Sequence, residues 1–197
     1  MGGVVAVAVE ATRALYLFAP LLVSAALSGV VLRFNWFPTL RRPIDFGATF
    51  RGRRLFGDSK TWRGVIVAIV GCVASVALQQ QVLSDVVPAS LEAVDYRSTS
   101  PFCFGTAMGV GAMAGELPNS FTKRQFGIPP GQSTRGWPAL AFYVWDQVDL
   151  LTGAWPLVLF WVRPSASVVA ASFVVAMLVH PVVAAIGFAM GARTTAR

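Results

Sequence analysis

Charge is scarce in this sequence. Asp, Glu, Lys and Arg make up 13% of its 197 residues and hydrophobic residues 55%, whereas soluble globular proteins carry about 25% charged residues. The shortage excludes an ordinary soluble globule: one core cannot take up so much apolar surface, so lipid must solvate part of the chain. Histidine is nearly absent as well. The single His180 excludes a metal cluster built on histidines, and no Ser-His-Asp or Cys-His set suited to acyl-enzyme chemistry is visible. Followed by Pro181 inside an apolar run, it reads as a packing residue. Cys72 and Cys103 are the only cysteines; their spacing fits neither zinc nor a redox pair, and both read as small buried hydrophobes. The first apolar run is preceded by Glu10 rather than a basic stretch, so it reads as a retained anchor and not a cleaved signal peptide. Ala6 stands where N-myristoylation wants Ser or Thr. Internal repeats and low-complexity linkers are missing too.

What is present is a series of long apolar runs. A membrane-crossing helix needs about 20 mostly apolar residues, and Ala14–Leu32, Gly64–Leu83 and Val168–Met190 supply this without an acid or base. Phe102–Met113 and Leu150–Val162 are shorter, and become long enough only by absorbing Glu116 in one and Asp146 with Asp149 in the other. A carboxylate in a span is costly and marks a functional site facing the bundle interior or a wet cavity. The pattern predicts a single all-α integral membrane domain, residues 1–197, with about five transmembrane helices near 14–32, 64–83, 100–117, 139–162 and 168–190. Gly105, Gly109 and Gly115 on the third, and Gly187 with Gly191 on the fifth, predict close helix approach. Trp36, Trp137, Trp145, Trp155 and Trp161 read as interfacial or packing aromatics.

The sixteen basic residues against nine acids, a net +7, are unevenly placed. Loop 33–63 holds Arg33, Arg41, Arg42, Arg51, Arg53, Arg54, Lys60 and Arg63; loop 118–145 holds Lys123, Arg124 and Arg135; the tail holds Arg193 and Arg197. The positive-inside rule puts both loops and the C-terminus in the cytoplasm and the N-terminus outside, in a multi-pass inner or plasma membrane protein. Charge beside spans points to anionic headgroups and phosphorylated substrates. No nucleic-acid partner is expected, since a binding module with interleaved aromatics is lacking.

Both loops carry what phosphate chemistry needs. In Pro43–Gly64, glycines at 47, 52, 57 and 64 allow tight turns and close approach to a ligand. Ser59 or Thr61 is placed to cap the following helix, whose first amides form an anion site. Arg51, Arg53, Arg54, Lys60 and Arg63 offer donors for a triphosphate or lipid phosphate. A polybasic segment on anionic headgroups would explain these arginines, but not Asp45, Asp58 and the spaced glycines. In the second loop, Asp146 and Asp149 lie three apart and share a helix face, where they could bracket a divalent cation. Mg²⁺ binds through one or two carboxylates plus substrate phosphates, which Lys123 and Arg124 would neutralise. The alternative is that one aspartate caps the helix and the other pairs with an arginine.

At these loops the chain resembles the CDP-archaeol synthase family, a branch of the phosphatidate cytidylyltransferases. Pro43-Ile-Asp-Phe-Gly47 and Phe50-Arg-Gly-Arg-Arg-Leu-Phe-Gly-Asp-Ser-Lys-Thr-Trp-Arg-Gly64 look like that family's first cytoplasmic loop. Ser120-Phe-Thr-Lys-Arg124 followed by Asp146-Gln-Val-Asp149 is similar to the wider signature of Ser-x-x-Lys-Arg before an Asp-x-x-Asp pair. The resemblance implies a five-span helical domain with a cytoplasmic active site that makes a CDP-activated lipid and pyrophosphate from CTP and a lipid phosphate, with Mg²⁺ as cofactor. On that reading Asp146, Asp149 and Glu116 hold metal. Asp146, Asp149, Lys123, Arg124 and Lys60 are catalytic, and Arg51, Arg53, Asp58, Ser59, Lys60, Thr61, Arg63, Asn119 and Ser120 bind CTP or the lipid phosphate. Membrane lipids are further partners, and a homodimer stays open. Two rival readings are a transporter or flippase for phosphorylated solutes or lipids, and a structural protein that recruits anionic lipid.

Overall fold

The computed structural model describes residues 2–83, 85–132 and 134–189. Met190 and Gly191, and Arg193 and Arg197 of the tail, lie outside the described residues. Five helices carry the fold: α1 (Gly2–Arg33), α2 (Trp62–Leu78), α3 (Pro101–Gln125), α4 (Trp137–Val158) and α5 (Ala166–Ala189). Among the described residues a single bridge pairs Pro43 with Thr61, and β1 (Thr49–Phe50) and β2 (Arg53–Arg54) form a hairpin, antiparallel with Thr49 opposite Arg54. Its turn, Arg51-Gly52, has positive φ at both residues, 52° and 76°. That is the backbone a two-residue hairpin turn demands.

The helices start and stop for local reasons. Thr61 caps α2, its hydroxyl accepting from the Gly64 N–H at 3.3 Å; Ser100 caps α3 and Pro101 follows it. Beyond Leu78, α2 loosens into a π turn at Gln79–Leu83. α1 has 32 residues, which at 1.5 Å per residue is about 48 Å, well past the expected 14–32 run. Three helical stretches, Val5–Arg33, Trp62–Val82 and Ala166–Ala189, are long and apolar enough to cross a membrane.

The predicted loop 118–145 is mostly helix. α3 runs on through Pro118 to Gln125, and α4 begins at Trp137. Pro118 removes one N–H from the helix ladder, and its own carbonyl accepts from the Thr122 hydroxyl at 2.8 Å. Asn119 and Lys123 beyond it share a polar helix face that hydropathy alone makes look like a loop.

Packing centres on α3, which lies against α2 on one side and α4 on the other. Small residues set the spacing. A Cβ at Gly105 would sit 2.5 Å from the Val73 Cα, and one at Gly109 2.7 Å from the Ile69 Cα. On the α4 side, a Cβ at Gly111 would sit 2.8 Å from the Ala154 Cα, and Gly115 faces the carbonyl of Asp149 and the backbone of Gly153. Leu17 and Phe18 of α1, Cys72 and Val76 of α2, Phe104 and Met108 of α3, and Trp155 and Val158 of α4 form the core. The Trp155 indole donates to the Ser172 hydroxyl at 3.0 Å, tying α4 to α5. Cys72 is buried as expected, but Cys103 is exposed. In a bundle that faces lipid, an apolar run no longer implies an inward side chain.

Candidate active site

The close α3–α4 packing brings two polar helix faces together. Glu116, Asn119 and Lys123 recur at three- and four-residue intervals along α3, and Asp146 and Asp149 do so on α4. The Asn119 amide donates to Asp146 Oδ1 at 2.6 Å and to Asp149 Oδ2 at 2.8 Å, so one side chain holds both aspartates. Lys123 pairs with Asp146, and Lys60, from the loop before α2, pairs with Glu116. Asn119 is 2% exposed and Asp149 7%. The Asp149 Oδ1 also accepts from the Leu150 N–H at 2.8 Å.

Glu116, Asp146 and Asp149 are the carboxylates expected to hold a metal. Among the described residues no three His, Cys, Asp or Glu side chains gather at one point. A cage of Glu116, Asp146 and Asp149 is therefore not the arrangement found: Glu116 is turned to Lys60. Asp146 and Asp149 remain joined, and Asn119 Oδ1 beside them is buried without a hydrogen-bond partner. The two carboxylates offer oxygen donors alone, which suits a hard cation such as Mg²⁺ that completes its shell with phosphate and water.

Asp45 organises the first loop. Its buried carboxylate accepts from Arg54 at 2.6 Å and from the backbone N–H groups of Gly47, Phe56 and Gly57 at 3.0–3.1 Å. Burial alone would push its pKa up; these donors, Arg54 foremost, outweigh that and bring it down to about 2. Arg54 also reaches Asp58 at 2.7 Å. The knot docks on α3: Arg53 donates to the Gln125 carbonyl, and the Gln125 amide donates to the Arg54 carbonyl at 3.4 Å. Gly57, at φ +86°, fits under Pro130, which leaves 3.2 Å to an added Cβ.

Several residues expected to bind substrate have structural partners instead. Arg63 is buried and donates to Asn35 Oδ1 at 3.0 Å and the Trp36 carbonyl at 3.1 Å, closing the end of α1. Arg124 is buried and donates to the Ile128 carbonyl. Thr61 is a helix cap, Arg53 is bound to α3, Ser120 is buried, and Asp58 is an exposed partner of Arg54. Arg51 stands at the hairpin turn with its guanidinium 5.3 Å from the Phe50 ring centre. Brought together are Lys60, Glu116, Asn119, Lys123, Asp146 and Asp149, with Ser59 nearby. Sequence reasoning gave no site role to Asp45, although a carboxylate among turn glycines was the available signal. His180 lies 2.8 Å from Gln147 Oε1 through Nδ1, a polar link between α5 and α4 that packing alone did not suggest.

A cavity of about 320 Å³ opens beside these groups. Ser59, Lys60, Thr61 and Glu116 line its polar part; Leu21, Leu22, Ala25 and Leu32 of α1 and Val183 and Ile186 of α5 line the rest. The cavity thus joins a polar end that holds Lys60 and Ser59 to an apolar cleft between membrane-length helices.

Comparison with known proteins makes this specific. The CarS-like family model, described as CDP-archaeol synthase, matches residues 12–195. The CDP-archaeol synthase of Methanoculleus marisnigri is 33% identical over 158 residues, 77% of this chain and 87% of that protein. That of Pyrococcus furiosus is 37% identical over 118 residues, 58% of this chain and 62% of that protein. A solved structure described as "an intramembrane enzyme for archaeal membrane lipids biosynthesis" matches with a TM-score of 0.63 at 25% identity, covering 85% of this chain and 89% of the other. The chain belongs to the CDP-archaeol synthase family. With that it is an integral membrane protein among the CTP-dependent cytidylyltransferases of membrane lipid biosynthesis, and the transporter and purely structural readings fall away.

Proposed function

We propose that this protein makes a CDP-activated ether lipid of the archaeol type, with Mg²⁺, at the cytoplasmic face of the membrane. A phosphate oxygen of the lipid attacks the α-phosphorus of CTP; the new P–O bond forms as the bond to the β-phosphate breaks, and pyrophosphate leaves. No enzyme-bound intermediate is required, so the residues act by positioning and by offsetting charge. Asp146 and Asp149, fixed by Asn119, would hold the cation, which when bound supplies charge neutralisation to the nucleotide phosphates and the leaving group. Lys60 and Lys123, which here neutralise Glu116 and Asp146, turn to the phosphates of lipid and nucleotide. Ser59 and the amides that open α2 offer further donors. Arg51, exposed at the hairpin turn, offers a further donor to the triphosphate. The lipid chains lie along the apolar wall of α1 and α5, with the phosphate beside Lys60.

The observation that carries this reading is the single amide of Asn119 bonded to both aspartates, one helical turn from Glu116 on the cavity wall. Purified protein in detergent, given CTP, Mg²⁺ and a panel of ether- and ester-linked lipid phosphates, tests it. Pyrophosphate release with the archaeol-type phosphate is expected. Release with diacylglycerol phosphate alone would reassign the acceptor, and release with no panel member would overturn the activity.

A further inference from the structure

The structure divides six of the seven arginines of the first loop into two groups, with Arg51 apart at the hairpin turn. Arg53, Arg54 and Arg63 are bound to protein groups, Arg63 buried, Arg54 half-buried and Arg53 exposed. Arg33, Arg41 and Arg42 turn outward, and none of them stands within ion-pair distance of an acid among the described residues. They are not scattered. Arg33 ends α1, and the Arg42 carbonyl accepts from the Trp62 N–H at 3.0 Å where α2 begins. Both helix ends lie at one end of the bundle, linked by Arg63 to Asn35 and Trp36.

Exposed aromatics belong to the same helix ends and the loop between them. Phe34 and Trp36 stack with ring centres 5.9 Å apart, and Phe46 lies 6.4 Å from Trp62. Phe46 is 75% exposed, Phe34 64% and Trp62 42%. Large aromatics at the ends of membrane helices settle at headgroup depth, which puts the outward arginines at the depth of lipid phosphates. The same helix ends, through Gly29, Leu32, Thr61 and Gly64, line the cavity.

We propose that Arg33, Arg41 and Arg42, with their aromatic neighbours, form a docking surface for anionic lipid headgroups that concentrates the lipid-phosphate acceptor at the cavity mouth. The occupant is a membrane lipid, selected by charge: three exposed guanidiniums face a surface of phosphates, each attraction being worth about fivefold in local concentration, from roughly 1 kcal/mol per basic residue. The proposal rests on the cytidylyltransferase reading for its consequence, but not for the binding itself.

The test uses the full-length protein and the double variant Arg41→Gln with Arg42→Gln in vesicles of neutral lipid doped with lipid phosphate. The variant is expected to raise the KM for lipid phosphate, as a mole fraction, by about tenfold, the fivefold attraction of two residues reduced by partial exposure, while the KM for CTP and the rate at saturating lipid stay unchanged. Salt near 1 M, where the Debye length is about 3 Å, should bring the wild type to the variant's KM. A second arm needs no activity: a non-substrate anionic lipid added in neutral detergent should raise the melting temperature of the wild type more than that of the variant. Equal KM values and equal thermal shifts for the two proteins would overturn the docking surface. Absence of turnover in the wild type with the differential thermal shift intact would instead sink the enzymatic reading and leave the surface standing.

Discussion

Asn119 bears the most chemistry for its size. Its two amide hydrogens hold Asp146 and Asp149, while its oxygen has no partner of its own. Truncating Asn119 to Ala removes a ligand-orienting group, a loss of about 10- to 100-fold in comparable metal sites. Asn119→Ala should lower CDP-lipid formation by that factor and raise the Mg²⁺ concentration needed for half-maximal rate; a normal Mg²⁺ response would mean the amide only packs. Asp45 gives a pH prediction of the opposite kind. Its folded pKa of about 2 lies below the ordinary 3.8, so its stabilising effect is complete above the ordinary value and lost as pH falls through the folded one. Thermal stability in detergent should therefore decline between about pH 4 and pH 2 through this group. Asp45→Asn should be less stable at neutral pH and show less of that acid decline; an unchanged acid profile would show that the knot does not depend on its charge.

At the scale of the element, the helices were legible in the sequence and their polar faces were not. Hydropathy found the apolar bodies of α1, α2 and α5 because lipid-facing and core-facing residues alike are apolar there. It placed the end of α3 at residue 117 because Pro118 and the polar run after it resemble a loop. In three dimensions Asn119 and Lys123 of that run meet Asp146 and Asp149, while Arg124 and Gln125 bond to the Ile128 and Arg54 carbonyls. The aspartate pair could be found from its spacing alone. The assignment of the arginines could not, since an arginine that binds Asn35 and one that binds a phosphate have the same sequence signature. The α3–α4 contact also makes a prediction. Gly115 faces the Asp149 backbone and Gly153 faces Gly111, so neither helix can accept a side chain without moving apart. Gly115→Leu should shift Asp149 out of reach of Asn119, abolish turnover, and destabilise the protein by about 1–3 kcal/mol as overpacking does; wild-type melting and turnover would show the helices free to separate.

The whole molecule couples two solvents. Apolar helices place a cleft in the bilayer, and the Asp45 knot folds the first loop over the end of α3 so that Lys60 reaches Glu116. Nucleotide and lipid phosphate can then meet where the cleft turns polar. If that meeting is the function, chelating divalent cations should stop turnover without unfolding the protein, and adding Mg²⁺ back should restore it, as followed by pyrophosphate release and by melting in the same sample. The most direct measurement follows the label of CTP carried on either its α- or its γ-phosphate, with Mg²⁺ and an archaeol-type phosphate, for the wild type and Asp149→Asn. The account predicts α-label in the lipid phase and γ-label in pyrophosphate for the wild type, with neither product from a variant that still folds and inserts. γ-Label in the lipid phase, or undiminished α-transfer by Asp149→Asn, would contradict it.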